Sequence, residues 1–159
     1  MRPNERYHAI DEVTHDHRHL RQMVGWREPT DIAEYLEGYA SEGYEVHDFR
    51  LARCKCGSIS FLLDADDDEG VARRTCTACG SEHLICDSGE FWDEAQPERW
   101  ACTECGSEAA NIGVGFSIYP GRGGVRWFYV GERCACGVLG CFAGWKVGTG
   151  DSMDLLEKV

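Results

Sequence analysis

Along the chain, apolar residues recur at two spacings, and the change from one to the other marks the elements. Between Asp31 and Ser41, the residues Ile32, Ala33, Tyr35, Leu36, Tyr39 and Ala40 fall on one stripe of a 3.6-residue period. That predicts an amphipathic helix. Asp31 with Glu34 three residues later fits a capping box, with aspartate in the usual place of serine or threonine. Gly43 supplies a plausible stop. Tyr44 to Leu51 reads as extended. Ile59, Phe61 and Leu63 then alternate, which is a strand signal; Asp64 to Gly70 reads as an acidic turn and Val71 to Thr75 as the returning strand. The pattern recurs further on. Ile112, Val114, Phe116 and Ile118 alternate, Pro120-Gly121-Arg122-Gly123-Gly124 is a turn, and Val125 to Val130 returns as an aromatic strand. Met153 to Val159 reads as a short terminal helix capped by Asp151 or Ser152. Residues 1–29 are polar and carry no period, the pattern of a partly disordered segment.

The cysteines change this picture most. The chain of 159 residues holds ten. Eight of them form pairs: Cys54-Lys55-Cys56-Gly57, Cys76-Thr77-Ala78-Cys79-Gly80, Cys102-Thr103-Glu104-Cys105-Gly106 and Cys134-Ala135-Cys136-Gly137. Every pair ends in glycine, which permits the positive φ that turns a chain beneath a metal. Two cysteines flanking a tight turn present both sulfurs to one ion, and zinc takes four thiolates in a tetrahedron. Redox or disulfide pairs are the competing reading, disfavoured if the thiols stay reduced. Sequential pairing groups Cys54, Cys56, Cys76 and Cys79 around one Zn2+. It groups Cys102, Cys105, Cys134 and Cys136 around a second. Each predicted hairpin would bring its flanking pairs together, whereas interleaved pairing, as in cross-brace modules, would splay the hairpins. Two pairs are Cys-x-Cys, tighter than the usual ribbon spacing. Cys86 and Cys141 lie in apolar runs and read as small buried hydrophobes; a spare ligand or a reactive thiol is the alternative.

The expected fold is therefore α+β: two β-rich zinc-ribbon modules packed with an N-terminal helix and a short C-terminal helix. The expected divisions are a polar segment at 1–29, a helix and strand platform at 30–52, one ribbon at 53–95, a second at 96–149 and the terminal helix at 150–159. A lone ribbon buries little core. The helix, the aromatic strands and Trp92, Trp100, Trp127 and Trp145 are expected to join both ribbons into one unit. The cysteine order (short pair, long pair, long pair, short pair) suggests a duplicated ribbon, although the two intervals differ in length.

The stretch Arg53-Cys54-Lys55-Cys56-Gly57, the pair Cys76-Thr77-Ala78-Cys79-Gly80, and the run from Trp127 through Cys134 to Trp145-Lys146 resemble a group of uncharacterised bacterial proteins with paired cysteine knuckles. The resemblance covers roughly residues 30 to 159. It implies a zinc scaffold in a bacterial cytoplasm. More broadly the chain is similar to zinc ribbons, a fold used in transcription, translation and protein assembly, and fold alone does not fix function.

Charge then separates the function classes. The formal net charge is −12. Two four-thiolate zinc sites, each of net charge −2, would take it to about −16. Nucleic-acid binders carry basic patches that displace counterions from phosphate; here only Arg73 with Arg74, and Arg122 with Arg126 and Arg133, offer local exceptions. The balance favours a protein partner, especially a basic one. The expected function is a non-enzymatic, acidic, zinc-binding interaction module, with an inhibitor or immunity-type partner of a basic protein as one member of that class. A nucleic-acid or transcription-complex accessory factor is the alternative. No apolar run reaches membrane-spanning length, and no apolar segment follows Met1 to Arg6, so a cytoplasmic address without a secretory signal is expected.

Three further motifs carry less. The run Asp64-Ala65-Asp66-Asp67-Asp68-Glu69-Gly70 fails as a calcium loop: glycine falls at the seventh place, and Thr75 stands where a glutamate is needed. As an acidic hairpin tip, Asp66 to Glu69 is similar to those of eukaryotic-type transcript cleavage factors, but simple solubility is the readier explanation. His15, His17 and His19 would share a strand face, but a solvated tail is the simpler reading. No nucleophile elbow or phosphate loop is present, and both proposed zinc sites are closed, unlike catalytic zinc with its open position.

Overall fold

The computed structural model describes residues 30–121, 123–147 and 153–159. The N-terminal segment, its histidines, Arg122 and the proposed caps Asp151 and Ser152 lie outside the described residues. The described chain is mostly β-sheet with one α-helix. In chain order come α1 (Thr30–Tyr39), β1 (Asp48–Leu51), β2 (Phe61–Asp66), β3 (Val71–Cys76), β4 (Glu82–Leu84), β5 (Glu98–Arg99), β6 (Ala109–Ile118), β7 (Val125–Cys134) and β8 (Leu139–Lys146). Single 3-10 turns occupy Ser88–Glu90, Trp92–Glu94 and Met153–Glu157.

The strands form one antiparallel sheet in the order β4-β3-β2-β6-β7-β8, with β1 added to β6 and β5 added to β2. Each of two units contributes a leading strand, a hairpin and a trailing strand: β1, β2–β3 and β4 in the first, and β5, β6–β7 and β8 in the second. The leading strands are exchanged. β1 pairs with β6 of the second unit, and β5 pairs with β2 of the first. The registers match position for position. Ala52 N–H donates to Ile112 O at 2.8 Å, and the equivalent Trp100 N–H donates to Leu63 O at 2.9 Å. Where the units meet, Phe61 stands opposite Ala110.

The long strands are buried on both faces, which is why β7 carries Trp127, Phe128, Tyr129 and Val130 in unbroken succession. Val125, Phe128 and Val130 enter one core with Phe61, Leu63, Phe116 and Trp145; Trp127 and Tyr129 enter another beneath α1. In the first core, Phe128 meets Trp145 edge-on at 4.9 Å. In the second, Ile32, Tyr35 and Leu36 supply the buried stripe of α1. The strands leave room for this helix with glycine. A Cβ on Gly131 would stand 3.0 Å from the Ile32 methyl and 3.1 Å from Leu36, and one on Gly115 would stand 3.3 Å from Leu36.

Several expectations are corrected. Asp31 does not cap the helix, which begins at Thr30; its carboxylate instead reaches buried Arg133 Nε at 3.0 Å. The predicted extended segment narrows to Asp48–Leu51. The predicted terminal helix is the 3-10 turn Met153–Glu157, because Leu155 and Leu156 both point into the core and the following backbone is held by β-rich neighbours. Cys86 N–H donates to Lys158 O at 2.7 Å, and Arg74 Nη2 donates to Val159 O at 2.9 Å.

The largest correction concerns the acidic turn. β2 continues through Asp66, so the turn proper is shorter, and three of its carboxylates are buried. Asp64 accepts Arg99 Nε at 2.7 Å and Arg73 Nη2 at 3.2 Å. Asp66 accepts the Asp68 N–H at 3.0 Å and the Gln96 N–H at 2.9 Å. Asp67, 1% exposed, accepts the Gly144 N–H at 2.9 Å and so covers the outer edge of β8. The exposed four-carboxylate tip does not exist as expected: Asp68 is exposed, Glu69 half-buried, and Asp66 and Asp67 are built into the fold.

Two consequences can be measured by chemical denaturation. Asp67→Ala removes a charged acceptor from a buried N–H and should destabilise the protein by about 1–3 kcal/mol. Gly131→Val should lift α1 from the sheet and cost about 1–3 kcal/mol, with no loss of metal, since Gly131 lies on the face away from both cysteine clusters.

Candidate metal centres

Each hairpin base is flanked by two knuckles, and the same two backbone bonds shape all four. The N–H of the first cysteine donates to the carbonyl of the residue after the glycine: Cys54 to Ser58, Cys76 to Ser81, Cys102 to Ser107 and Cys134 to Val138, at 2.8–2.9 Å. The glycine N–H donates back to the first cysteine's carbonyl, as in Gly57 to Cys54 and Gly80 to Cys76. Gly57, Gly80, Gly106 and Gly137 all have positive φ, between 76° and 100°. A side chain there would be strained. The Cys-x-Cys pairs are thus the same turn made one residue shorter, and their spacing does not remove them from the pattern.

The hairpins bring the thiols together in sequential order. The sulfurs of Cys54, Cys56, Cys76 and Cys79 lie within 4.8 Å of one another, as do those of Cys102, Cys105, Cys134 and Cys136. Within the first group, Cys54 and Cys79 are 3.5 Å apart and Cys56 and Cys76 are 3.6 Å apart. Within the second, Cys102 and Cys136 are 3.6 Å apart and Cys105 and Cys134 are 3.5 Å apart. A disulfide needs about 2.05 Å. A tetrahedron of 2.3 Å metal–sulfur bonds has edges of roughly 3.8 Å. The two groups fit the second geometry, so each could hold one metal ion, and an all-sulfur donor set suits a thiophilic metal rather than a hard cation.

The knuckle backbone also prepares thiolates. The Cys79 N–H holds the Cys76 thiol down at about 6, and the Ser107 N–H holds Cys105 at about 7. Burial has the opposite effect on Cys134 and Cys136, whose thiols it pushes up. Ligand thiolates form when a metal displaces their protons.

Cys86 and Cys141 stand apart from both groups. Cys86 is buried, with its Sγ 3.5 Å from Leu155 O; Cys141 is buried below the helix, with its Sγ 3.5 Å from Ala143 O. Burial raises both thiols far above the ordinary range. Sequence reasoning missed β8, which carries Cys141, and the buried Glu132 on β7. Burial pushes the Glu132 carboxyl up to about 8, against the Trp100 side chain and the Phe142 backbone, which pull it down.

Comparison with known proteins finds no family model, no curated protein and no solved structure that matches the chain. The reading of the site therefore rests on its own geometry.

Cys79→Ser and Cys105→Ser should each lose about one equivalent of metal and lower stability, because binding at such a site contributes directly to folding. Cys86→Ser and Cys141→Ser should keep full metal content. Elemental analysis beside denaturant titration checks all four; metal loss in either of the last two would mean that the ligand set is wrong.

Proposed function

We propose that the chain is a structural zinc protein with two Zn2+ ions per molecule and a surface that binds another protein. The observation that carries the zinc reading is the pair of four-thiolate clusters at tetrahedral spacing. Zn2+ would be held by Cys54, Cys56, Cys76 and Cys79 in one ribbon-like centre, and by Cys102, Cys105, Cys134 and Cys136 in the other. Bound there it supplies a cross-link, since four protein thiolates leave no open position for a reacting water. The protein's own residues do the rest: knuckle N–H groups orient the sulfurs, and the hairpins carry that order into the sheet.

The preference for a protein partner over nucleic acid draws support from the arginines. Arg73 lies between Asp64 and Glu82, Arg99 between Asp64 and Glu108, and Arg133 against Asp31. Arg74 is buried, and Arg126 is bonded to Ser117 Oγ with its guanidinium over the Tyr44 ring. These cations are already engaged within the fold, which leaves them poorly placed to meet phosphates. Exposed carboxylates gather elsewhere: Asp68, Glu94 and Glu98 line an open cleft of about 320 Å³ with Asp66, Glu69 and Gln96. A net charge of −12 steers basic partners toward such a surface. Among the described residues, no helix is long and apolar enough to cross a membrane.

Protein purified without added metal should contain two zinc ions per chain; one ion, or none, overturns the two-centre reading, and iron with visible absorbance redirects it. The zinc-loaded protein should bind a basic protein column in a salt-sensitive way, with capture weakened by the Asp68→Asn, Glu94→Gln, Glu98→Gln triple variant. Tight salt-sensitive binding to plain duplex DNA would put the nucleic-acid reading first.

A further inference from the structure

The two cysteine centres occupy equivalent places in the two units, so their surroundings can be compared position by position. Arg74 stands opposite Leu63 in the first hairpin, and Glu132 stands opposite Ile112 in the second. Each lies two residues before the first cysteine of its closing knuckle. Arg74 is buried, packs its guanidinium over the Phe61 ring at 4.7 Å, donates to Val159 O at 2.9 Å and interacts electrostatically with Cys54 and Cys76. Glu132, at the matching position, is 4% exposed. A carboxyl offers no positive charge in either protonation state.

The same contrast recurs around the knuckles. Ser81 Oγ lies 3.3 Å from Cys79 Sγ and can donate to a thiolate; the equivalent residue after the last knuckle is Val138, which cannot. Arg53 and Lys55 flank Cys54, and Arg53 Nη1 spans the turn to Gly57 O at 3.4 Å. In the second unit the opening knuckle carries Ala101 and Glu104. A tetrathiolate zinc centre has a net charge of −2. At matching positions the first unit thus has Arg53, Lys55, buried Arg74 and the Ser81 hydroxyl, where the second has Ala101, Thr103, buried Glu132 and Val138; Arg133, next to Cys134, is engaged by Asn111 and Asp31, and Ser107 lies beside Cys105.

We propose that the two centres form a retention hierarchy: the Cys54 centre, countercharged by Arg74, keeps its metal, and the Cys102 centre is the exchangeable one that releases metal first. This rests on the zinc reading above. Arg74 acts as a positioning countercharge and not as a ligand. Exposure predicts the reverse order, because Cys56 and Cys79 are both exposed whereas Cys136 is half-buried. The order of release therefore separates charge from access.

The test uses the full chain loaded with two zinc ions and an excess of EDTA. Thiols freed at half-release are pulsed with N-ethylmaleimide and located by peptide mass. The expected result is two phases, with Cys102, Cys105, Cys134 and Cys136 alkylated first. Arg74→Gln should speed loss from the Cys54 centre by roughly 10- to 100-fold, the usual effect of removing an outer-shell partner, while Arg74→Lys should stay slow. If Arg74→Gln fails to fold, the alkylation order of the unmodified chain decides alone. Early alkylation of the Cys54 group, a single common rate, or an unchanged rate in folded Arg74→Gln would each overturn the hierarchy. A chain that binds no zinc would overturn the zinc reading itself, whereas two ions lost at one rate would overturn only this inference.

Discussion

The structure depends on one requirement: the open end of each hairpin must gather four thiols into a space of a few ångströms. Four sulfurs at such separations are unfavourable neighbours once ionised, and they become a stable node only with a cation among them. A fold that places eight thiols in this way commits its β2–β3 and β6–β7 registers to the metal geometry. Phe61 faces Cys76 and Ala110 faces Cys134, so each hairpin ladder runs directly into a knuckle. A slip of one residue in either ladder would separate the sulfurs and turn every side chain of that strand to the wrong face.

The rest of the molecule answers the problem that a ribbon is too small to make its own core. Exchange of the leading strands merges two small units into one sheet, so that neither can complete its hairpin layer without the other. Both faces of that sheet are then covered. α1 lies on the glycine-lined face, tied by Asp31 to Arg133, while the 3-10 turn with Leu155 and Leu156 closes the other. The polar groups this arrangement buries are partnered from a distance in sequence. Asp67 reaches the β8 backbone, and Asp87 reaches the Trp145 indole at 3.1 Å. Carboxylates that look like solubilising charge in the chain are structural acceptors in the fold.

That redistribution of charge bears on function. Among the buried aspartates, Asp64 pairs with Arg73 and Arg99, while Asp66, Asp67 and Asp87 accept N–H groups, and exposed carboxylates gather around Glu94 and Glu98. In the proposed reading, such a surface would steer a basic partner while the metal-bound sheet held its shape.

The sequence by itself determined the chemistry of the centres. Paired cysteines with trailing glycines are a local motif: the turn, its positive φ and its two presented sulfurs are all settled within a few residues. Alternation likewise revealed the two hairpins, and with them the sequential grouping of cysteines. What only the tertiary structure decided is what joins distant segments. The exchange of β1 and β5 has no local signature, because each strand is only a few residues long and its partner lies far along the chain. The burial of Asp66 and Asp67 could not be read from a run of acids, since a carboxylate is exposed or structural according to which backbone N–H the fold brings to it. Arg74 and Glu132 looked like unrelated charges until the registers made them counterparts. Short-range rules fix the form of a turn; charge environment and strand partnership belong to contacts between residues that the chain keeps far apart.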